Sequence, residues 1–412
     1  MDLKQIDLCE VCGGTELYEV LDLGVHPLCD DLIPVGESEK CTKYPIEIVY
    51  CKTCDTAHQK YQVPKKTLFP QTYHYRSRFT ADVLSGMESL VEAVEVHTGS
   101  LAGLTVLDVG CNDGSLLDKF LAKGVGTTIG VEPTGASEDA KGRAHIVVND
   151  YFSKKVAQSL LENHPKIDVI TFTNVFAHIE DLSSLIEVLK LIMHEKTVLV
   201  IENHYLGAVL DKNQFDTFYH EHPRTYSINS FSYIAKNLNG KIVSVDFPRR
   251  YGGNIRVMIS QEQMDDKLTY QEVKQYLEKE TQFYDDFERL RSFVSEWKKN
   301  KLIELKKLYD KNGPLVAKAF PGRAAILIEC LGIDETMIDA VYEKPGSMKL
   351  NNYIPGTKIP IKSDDDLFAL DSPPKVIINF AWHISAEIRR YLEENGYTGE
   401  VVDILDLPEG RK

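Results

Sequence analysis

The sequence predicts an α/β protein: a parallel sheet covered on both faces by helices, preceded by a small cysteine module and followed by a second α/β unit. Three observations lead there. The stretch Leu104-Thr-Val-Leu-Asp-Val-Gly-Cys-Asn-Asp-Gly-Ser115 reads as a buried strand, a glycine turn and a helix start. Strand-like and helix-like runs alternate through the two hundred or so residues around it. From Pro314 the same alternation starts again.

Residues 1–70 are organised by Cys9-Glu-Val-Cys12 and Cys51-Lys-Thr-Cys54, with thirty-eight residues between the pairs. One C-x-x-C can be redox-active, but two pairs suit tetrahedral zinc. Cys9, Cys12, Cys51 and Cys54 are therefore expected to hold a structural Zn2+, because four protein ligands leave no open position for catalysis. Cys29 and Cys41 are expected to be small core residues.

Residues 71–262 carry the main sheet. A helix over 80–97 places Val83, Met87, Leu90, Val91 and Val94 on one face. Strands are expected at 106–109, 127–132, 146–149, 167–173 and 197–202, and helices near 114–123, 134–142, 153–163 and 181–193. Strands at 241–247 and 255–260 flank Tyr251-Gly-Gly-Asn254 and read as a closing antiparallel hairpin. Gly110 and Gly114 allow close backbone approach to a ligand, and Asp113 and Ser115 can cap the following helix. The dinucleotide fingerprint needs a middle glycine, and Cys111-Asn112 stands there instead.

Residues 263–313 are highly charged, with aromatics at helical spacing, and read as one or two long connecting helices. Residues 314–412 form the second unit: strand 315–320, turn 321–323, helix 324–331, strand 337–342, strand 375–380 and helix 384–395.

Composition bounds the partners. The chain has 412 residues and a net charge of −15, which argues against nucleic acid. No run of eighteen apolar residues predicts a membrane span, and the N-terminus has no signal-peptide core, so a cytoplasmic protein is expected.

Three segments could carry chemistry. Asn149-Asp-Tyr-Phe152 follows a strand and reads either as a ligand contact or as a capped helix start. Asn174-Val-Phe-Ala-His178 falls at the carboxyl end of a strand, the functional edge of such sheets. Asn213-Gln-Phe-Asp-Thr-Phe-Tyr-His-Glu-His222 gathers Tyr219, His220, Glu221 and His222. H-E-H lacks the i, i+4 spacing of a zinc helix, and general acid/base work fits these residues better.

The frame D-x-G-C-N-D-G resembles motif I of class I S-adenosylmethionine methyltransferases. That resemblance implies that Asp108, Gly110, Asn112, Asp113 and Gly114 line the cofactor. It also implies that Glu132 accepts the ribose hydroxyls, and that Asp150, Tyr151 and Phe152 meet the adenine. The cysteine module with His26-Pro27-Leu28, then Tyr73-His-Tyr75-Arg-Ser77, then F-D-T-x-Y-H-E-H, looks like the nucleotide-sugar C-methyltransferases, whose best-known type acts in tetronitrose biosynthesis. In that family the segment equivalent to 73–77 lies over the active site, which places Tyr73 near the chemistry and Tyr75 and Ser77 near the cofactor, while an N-V-x-A-H segment like Asn174–His178 implies that Asn174 also lies near the cofactor. His222 would be the base, assisted by Tyr219 and Glu221, with His178 close by and His220 a structural or substrate contact.

The family's C-terminal domain helps hold the nucleotide diphosphate. Tyr353-Ile-Pro-Gly-Thr-Lys-Ile-Pro-Ile361 and Asn379-Phe-Ala-Trp382 resemble it. Asn254, Arg256, Lys318, Arg323, Tyr353 and Trp382 are the expected substrate contacts. The family's G-x-G-A-x-x-K-G-type turn is replaced by Ala317-Lys-Ala-Phe-Pro-Gly-Arg323. The resemblance implies C-methylation of a dTDP- or GDP-linked 4-keto sugar at C3, by a monomer or small homo-oligomer without nucleic-acid or membrane partners. Sugar O-methylation, or a zinc-containing binding protein with an inactive core, are the alternatives.

Overall fold

A computed structural model describes residues 3–69, 76–79, 81–164, 166–262 and 270–406. The expected contacts Tyr73 and Tyr75 lie outside the described residues. The chain divides into two compact units. One comprises residues 1–19, 49–209 and 221–284; the other comprises 20–48, 210–220 and 285–412.

The first unit is built on a seven-stranded sheet. Its strands are β1 (Thr105–Val109), β2 (Thr127–Val131), β3 (Ile146–Val148), β4 (Val169–Thr173), β5 (Val198–His204), β6 (Lys241–Asp246) and β7 (Asn254–Ser260). They lie in the order β6-β7-β5-β4-β1-β2-β3. All neighbours are parallel except β7, which runs antiparallel to both β5 and β6. This is the single reversed strand of a class I methyltransferase sheet, so the expected fold class holds. Val106, Leu107, Ile129, Ile170, Phe172, Leu199 and Ile201 are fully buried, as expected of strands covered on both faces. The helix Ala81–Thr98 buries Val83, Met87, Leu90, Val91 and Val94, the stripe expected from spacing.

The N-terminal strand Thr56–Gln59 pairs antiparallel with Arg224–Thr225 in this same unit. The knuckle between Cys51 and Cys54 also meets the start of the helix Ile228–Asn237. Ser230 donates to the Cys54 carbonyl (3.1 Å), and Asn229 Nδ2 donates to Asp55 (2.8 Å).

The second unit holds a five-stranded, all-parallel sheet. Its strands are β8 (Leu315–Lys318), β9 (Ile338–Glu343), β10 (Ile361–Ser363), β11 (Val376–Asn379) and β12 (Glu400–Asp403), in the order β10-β9-β8-β11-β12. Sequence patterning missed β10, which is only three residues long, and β12, which is half-buried to exposed and carries acids at both ends. The connector resolves into two helices, Tyr270–Glu280 and Phe283–Asn312.

Candidate active site

The site of the first unit lies along the carboxyl edge of its sheet. β1 ends at Val109, and the chain turns on Gly110 with φ +74°. A Cβ there would sit 2.5 Å from Val175 Cγ2, so glycine is required by both backbone and space. Asn112 also adopts a left-handed φ, +50°. Its amide donates to Glu132 Oε2 (3.0 Å), while Thr134 donates to Glu132 Oε1 through its amide (2.8 Å) and hydroxyl (2.6 Å). Glu132 is thus fixed at the end of β2. Its carboxylate has about four acceptor positions, of which these three bonds use part. A ribose diol fits the remaining capacity.

The other expected cofactor residues gather near this turn. Ser77 N donates to Asn112 Oδ1 (3.0 Å), which ties the Y-x-Y-x-S segment's serine to the motif. Asp113 is fully buried and accepts from Arg78 N (3.0 Å) and Ser115 Oγ (2.6 Å). The N-cap position itself belongs to Gly114, at φ +80°, so Asp113 braces the helix start from one residue earlier. Asp108 points into the sheet, accepting from Thr171 Oγ1 (2.6 Å), and burial pushes its carboxyl up to about 7. Asp150 is exposed, and Tyr151 and Phe152 are half-buried. Ser153, not Asp150, caps the next helix, accepting from Val156 N.

The expected catalytic residues of this unit come together. Asn174 follows β4 at φ +54°, a conformation asparagine tolerates. Its Oδ1 accepts from Asn254 Nδ2 (3.2 Å). A short 3-10 turn, Phe176–His178, then presents His178. His178 Nδ1 donates to the Glu221 carbonyl (2.7 Å), which places a proton on that nitrogen. Burial pushes His178 down to about 4, opposed by the Glu221 and Asn174 carbonyls. The His222 ring lies 4.9 Å from that of His178, centre to centre, and is itself 4% exposed. His204, the last residue of β5, stands 5.1 Å from His222 on another side. Sequence reasoning missed His204 because Glu202-Asn-His204 reads only as a polar strand end.

Asn254 and Arg256 lie on β7 beside a buried carboxylate. Glu202 accepts from Arg250 Nε (2.7 Å), Arg256 Nε (2.8 Å) and Asn254 Nδ2 (3.1 Å). Glu202 is fully buried and both arginines nearly so. The two cations and the amide together compensate a carboxylate that could not be buried alone. Asn254 links this cluster to Asn174 at the end of β4.

The four cysteines Cys9, Cys12, Cys51 and Cys54 converge, with all Sγ atoms within 4.8 Å of one another. Tetrahedral Zn–S bonds of about 2.3 Å put sulfurs roughly 3.8 Å apart, so the donor set fits zinc. His58 Nε2 lies 3.3 Å from Cys9 Sγ, and Thr56 Oγ1 lies 3.1 Å from Cys54 Sγ. Such contacts orient thiolates around a metal. Among the described residues no other group of three or more such ligands converges this way.

The second unit carries Tyr219 and His220. His220 Nε2 lies 3.1 Å from the Tyr44 carbonyl, and burial pushes His220 down to about 4. Arg323 grips Asp216 with both nitrogens, Nε to Oδ2 (2.8 Å) and NH2 to Oδ1 (2.6 Å). Trp382 Nε1 donates to the same Asp216 Oδ2 (2.8 Å). Lys318 is buried and paired with Asp364 (3.1 Å), next to Ala319 at φ +61°. Tyr353 OH accepts from Gly36 N (3.1 Å). The cations expected to meet phosphates thus carry internal carboxylate partners, Asp216 and Asp364, which sequence reasoning did not pair with them.

Three family models match the chain in order: a zinc binding domain at residues 9–69, a methyltransferase domain at 75–245 and a C-methyltransferase C-terminal domain at 249–402. The C-methyltransferase NovU of Streptomyces niveus is 24% identical over 420 residues, covering 99% of this chain and 97% of that protein. Among solved structures, magnesium protoporphyrin IX methyltransferase of Synechocystis with bound SAH is 18% identical, with a TM-score of 0.35, over 44% of this chain and 84% of that one. A protein of Pyrococcus horikoshii is 13% identical, with a TM-score of 0.37, over 47% of this chain and 97% of that one.

Proposed function

We infer that the chain is an S-adenosylmethionine-dependent C-methyltransferase and that it methylates C3 in a nucleotide-linked 4-keto sugar, with His222 as the base. The observation that carries this reading is His222, nearly buried and beside His178 at the sheet's carboxyl edge.

A carbon next to a ketone is too weakly acidic to react unaided. His222 removes its proton, and the negative charge moves onto the ketone oxygen. Glu221 uses its carbonyl to hold His178 beside the base. Glu132, pinned by Asn112 and Thr134, holds the cofactor's ribose, with the Gly110–Gly114 turn passing close to the rest. S-adenosylmethionine, when bound, supplies an electrophilic methyl group on a positively charged sulfur. The protein's largest contribution besides the base is to keep donor and acceptor within reach of each other. Tyr219 assists from the residues just before the base. Lys318, Arg323, Tyr353 and Trp382 are proposed to serve the nucleotide diphosphate, dTDP or GDP, with Asp216 and Asp364 setting how their cations are presented. The zinc is structural.

The test uses deuterated water. dTDP-4-keto-6-deoxyglucose and GDP-4-keto-6-deoxymannose are incubated with the protein, with and without S-adenosylmethionine, and products are read by mass and NMR. Protein-dependent deuterium beside the ketone, and a carbon-bound methyl when the cofactor is added, support the reading. A methyl on oxygen moves the assignment to O-methylation.

A further inference from the structure

We propose that Glu343 accepts the ribose hydroxyls of the sugar nucleotide and selects a ribonucleoside diphosphate over a 2′-deoxy one; this rests on the acceptor being a nucleotide-linked sugar.

The second unit repeats the cofactor corner of the first. In the first unit β1 leads into a left-handed residue, Gly110, whose amide donates to the carbonyl of Val131, the residue before Glu132 (2.8 Å). Two residues on, the Asn112 amide donates to the Glu132 carboxylate (3.0 Å). In the second unit β8 leads into a left-handed residue, Ala319, whose amide donates to the carbonyl of Tyr342, the residue before Glu343 (2.8 Å). The next amide, that of Phe320, donates to Glu343 Oε1 (2.6 Å). In both units a helix follows the turn, and the acid stands at the carboxyl end of the neighbouring parallel strand. An acid at this place in an α/β unit accepts the ribose 2′-hydroxyl. Glu343 is half-buried, and among the described residues its Oε2 has no partner. One bond from Phe320 leaves about three of its four acceptor positions open, enough for a vicinal diol.

The two corners differ in charge, and the difference selects the ligand. Asp108 and Asp113 stand at the first, which suits a cationic cofactor. Lys318, Lys344 and Lys349 stand at the second. Lys318 is spent on Asp364. Lys344 directly follows Glu343, is exposed, and holds its Nζ 5.0 Å from the centre of the Tyr391 ring. Lys349 Nζ donates to the carbonyl of Phe320, the residue whose amide holds Glu343 (2.8 Å). Among the described residues neither Lys344 nor Lys349 has a carboxylate partner. Two such cations beside a hydroxyl acceptor fit a nucleoside diphosphate and oppose a sulfonium. A 2′-deoxyribose offers only its 3′-hydroxyl there and leaves the acid partly unsatisfied.

The experiment measures binding by calorimetry to the full-length, zinc-loaded protein saturated with S-adenosylhomocysteine, so that the first corner is filled. The probes are two matched pairs that differ only in the 2′-hydroxyl: GDP with 2′-deoxy-GDP, and 5-methyl-UDP with dTDP. In at least one pair the ribonucleotide is expected to bind about tenfold or more tightly. Glu343→Gln keeps an acceptor for the Phe320 amide. It should bring the ribonucleotide down to its deoxy partner while S-adenosylhomocysteine affinity and the thermal midpoint stay unchanged. Lys344→Met with Lys349→Met should weaken both members of a pair alike and flatten the salt dependence of binding. Equal binding within both pairs, a preference that survives Glu343→Gln, or no binding of any of the four overturns the proposal. So does a second equivalent of S-adenosylhomocysteine that Glu343→Gln abolishes, because the corner would then take the cofactor's nucleoside. The deuterium experiment reads the chemistry separately. Carbon methylation of the dTDP sugar by Glu343→Gln as fast as by wild type leaves the C3 reading standing and removes this one. A ribose preference without any methylation removes the C3 reading and leaves the nucleotide site.

Discussion

Arg224 faces His58 across an antiparallel strand pair, two residues beyond His222 in one strand and four beyond Cys54 in the other. Arg224 also forms a buried ion pair with Glu10, the neighbour of Cys9. The metal site therefore braces the segment that carries His222. Cys51→Ser, or chelation of the holoprotein, is expected to release zinc, lower the thermal midpoint and reduce turnover together, while S-adenosylmethionine affinity changes less. A metal-free protein with unchanged midpoint and turnover would remove this brace.

His222→Ala is expected to lower turnover by about 10²- to 10⁴-fold, the usual contribution of a general base. S-adenosylmethionine binding, measured by calorimetry, should remain. Loss of binding would mean that the substitution damages the sheet edge rather than the proton transfer.

Gly110→Ala forces a Cβ to 2.5 Å from Val175 Cγ2 at a φ of +74°. Strain of this kind costs about 1–3 kcal/mol. Calorimetry should find weakened S-adenosylmethionine binding, with steady-state KM for the cofactor raised more than kcat falls.

The bidentate pair of Asp216 and Arg323 is buried in the second unit. Asp216→Ala leaves the buried Arg323 guanidinium with only the neutral acceptors Gln214 and Thr217, and the Trp382 indole N–H without its acceptor, which should cost about 3–5 kcal/mol in urea unfolding. The double variant Asp216→Leu, Arg323→Met should recover part of that loss, because it removes the uncompensated charge.

His220 makes stability depend on pH. Its pKa falls from 6.5 to about 4 in the folded chain because the ring is buried. Below pH 6.5 the unfolded chain takes up a proton that the folded one does not. The stability His220 confers is therefore full above 6.5 and is lost as pH falls toward 4. Between about pH 7 and about pH 5 the loss should be about 2 kcal/mol. His220→Gln should show a correspondingly flatter dependence of the unfolding midpoint on pH.

Local pattern made the main sheet legible. Apolar runs at Val106–Val109 and Ile170–Phe172, interrupted only by Asp108 and Thr171, and the stripe from Val83 to Val94, can be buried in few other ways. The four zinc ligands were legible because thiol spacing is a chemical signature. His204 was not legible, since its partner lies eighteen residues on and only the fold brings the two rings together. Glu202 with Arg250 and Arg256, and Asp216 with Arg323, were hidden for the same reason: an ion pair between distant residues leaves no period in the sequence. The turn Ala317–Arg323 departs from its expected glycine pattern, and Ala319 takes up a left-handed φ without glycine.

The chain passes between its two units five times, at 19/20, 48/49, 209/210, 220/221 and 284/285. No single recombination point can exchange one unit whole. A chimaera that grafts a relative's C-terminal third after Tyr284 would inherit a new β8–β12 sheet but keep the host's residues 20–48 and 210–220, including Asp216, against a foreign Arg323 counterpart. Moving the second unit whole therefore means moving three segments at once.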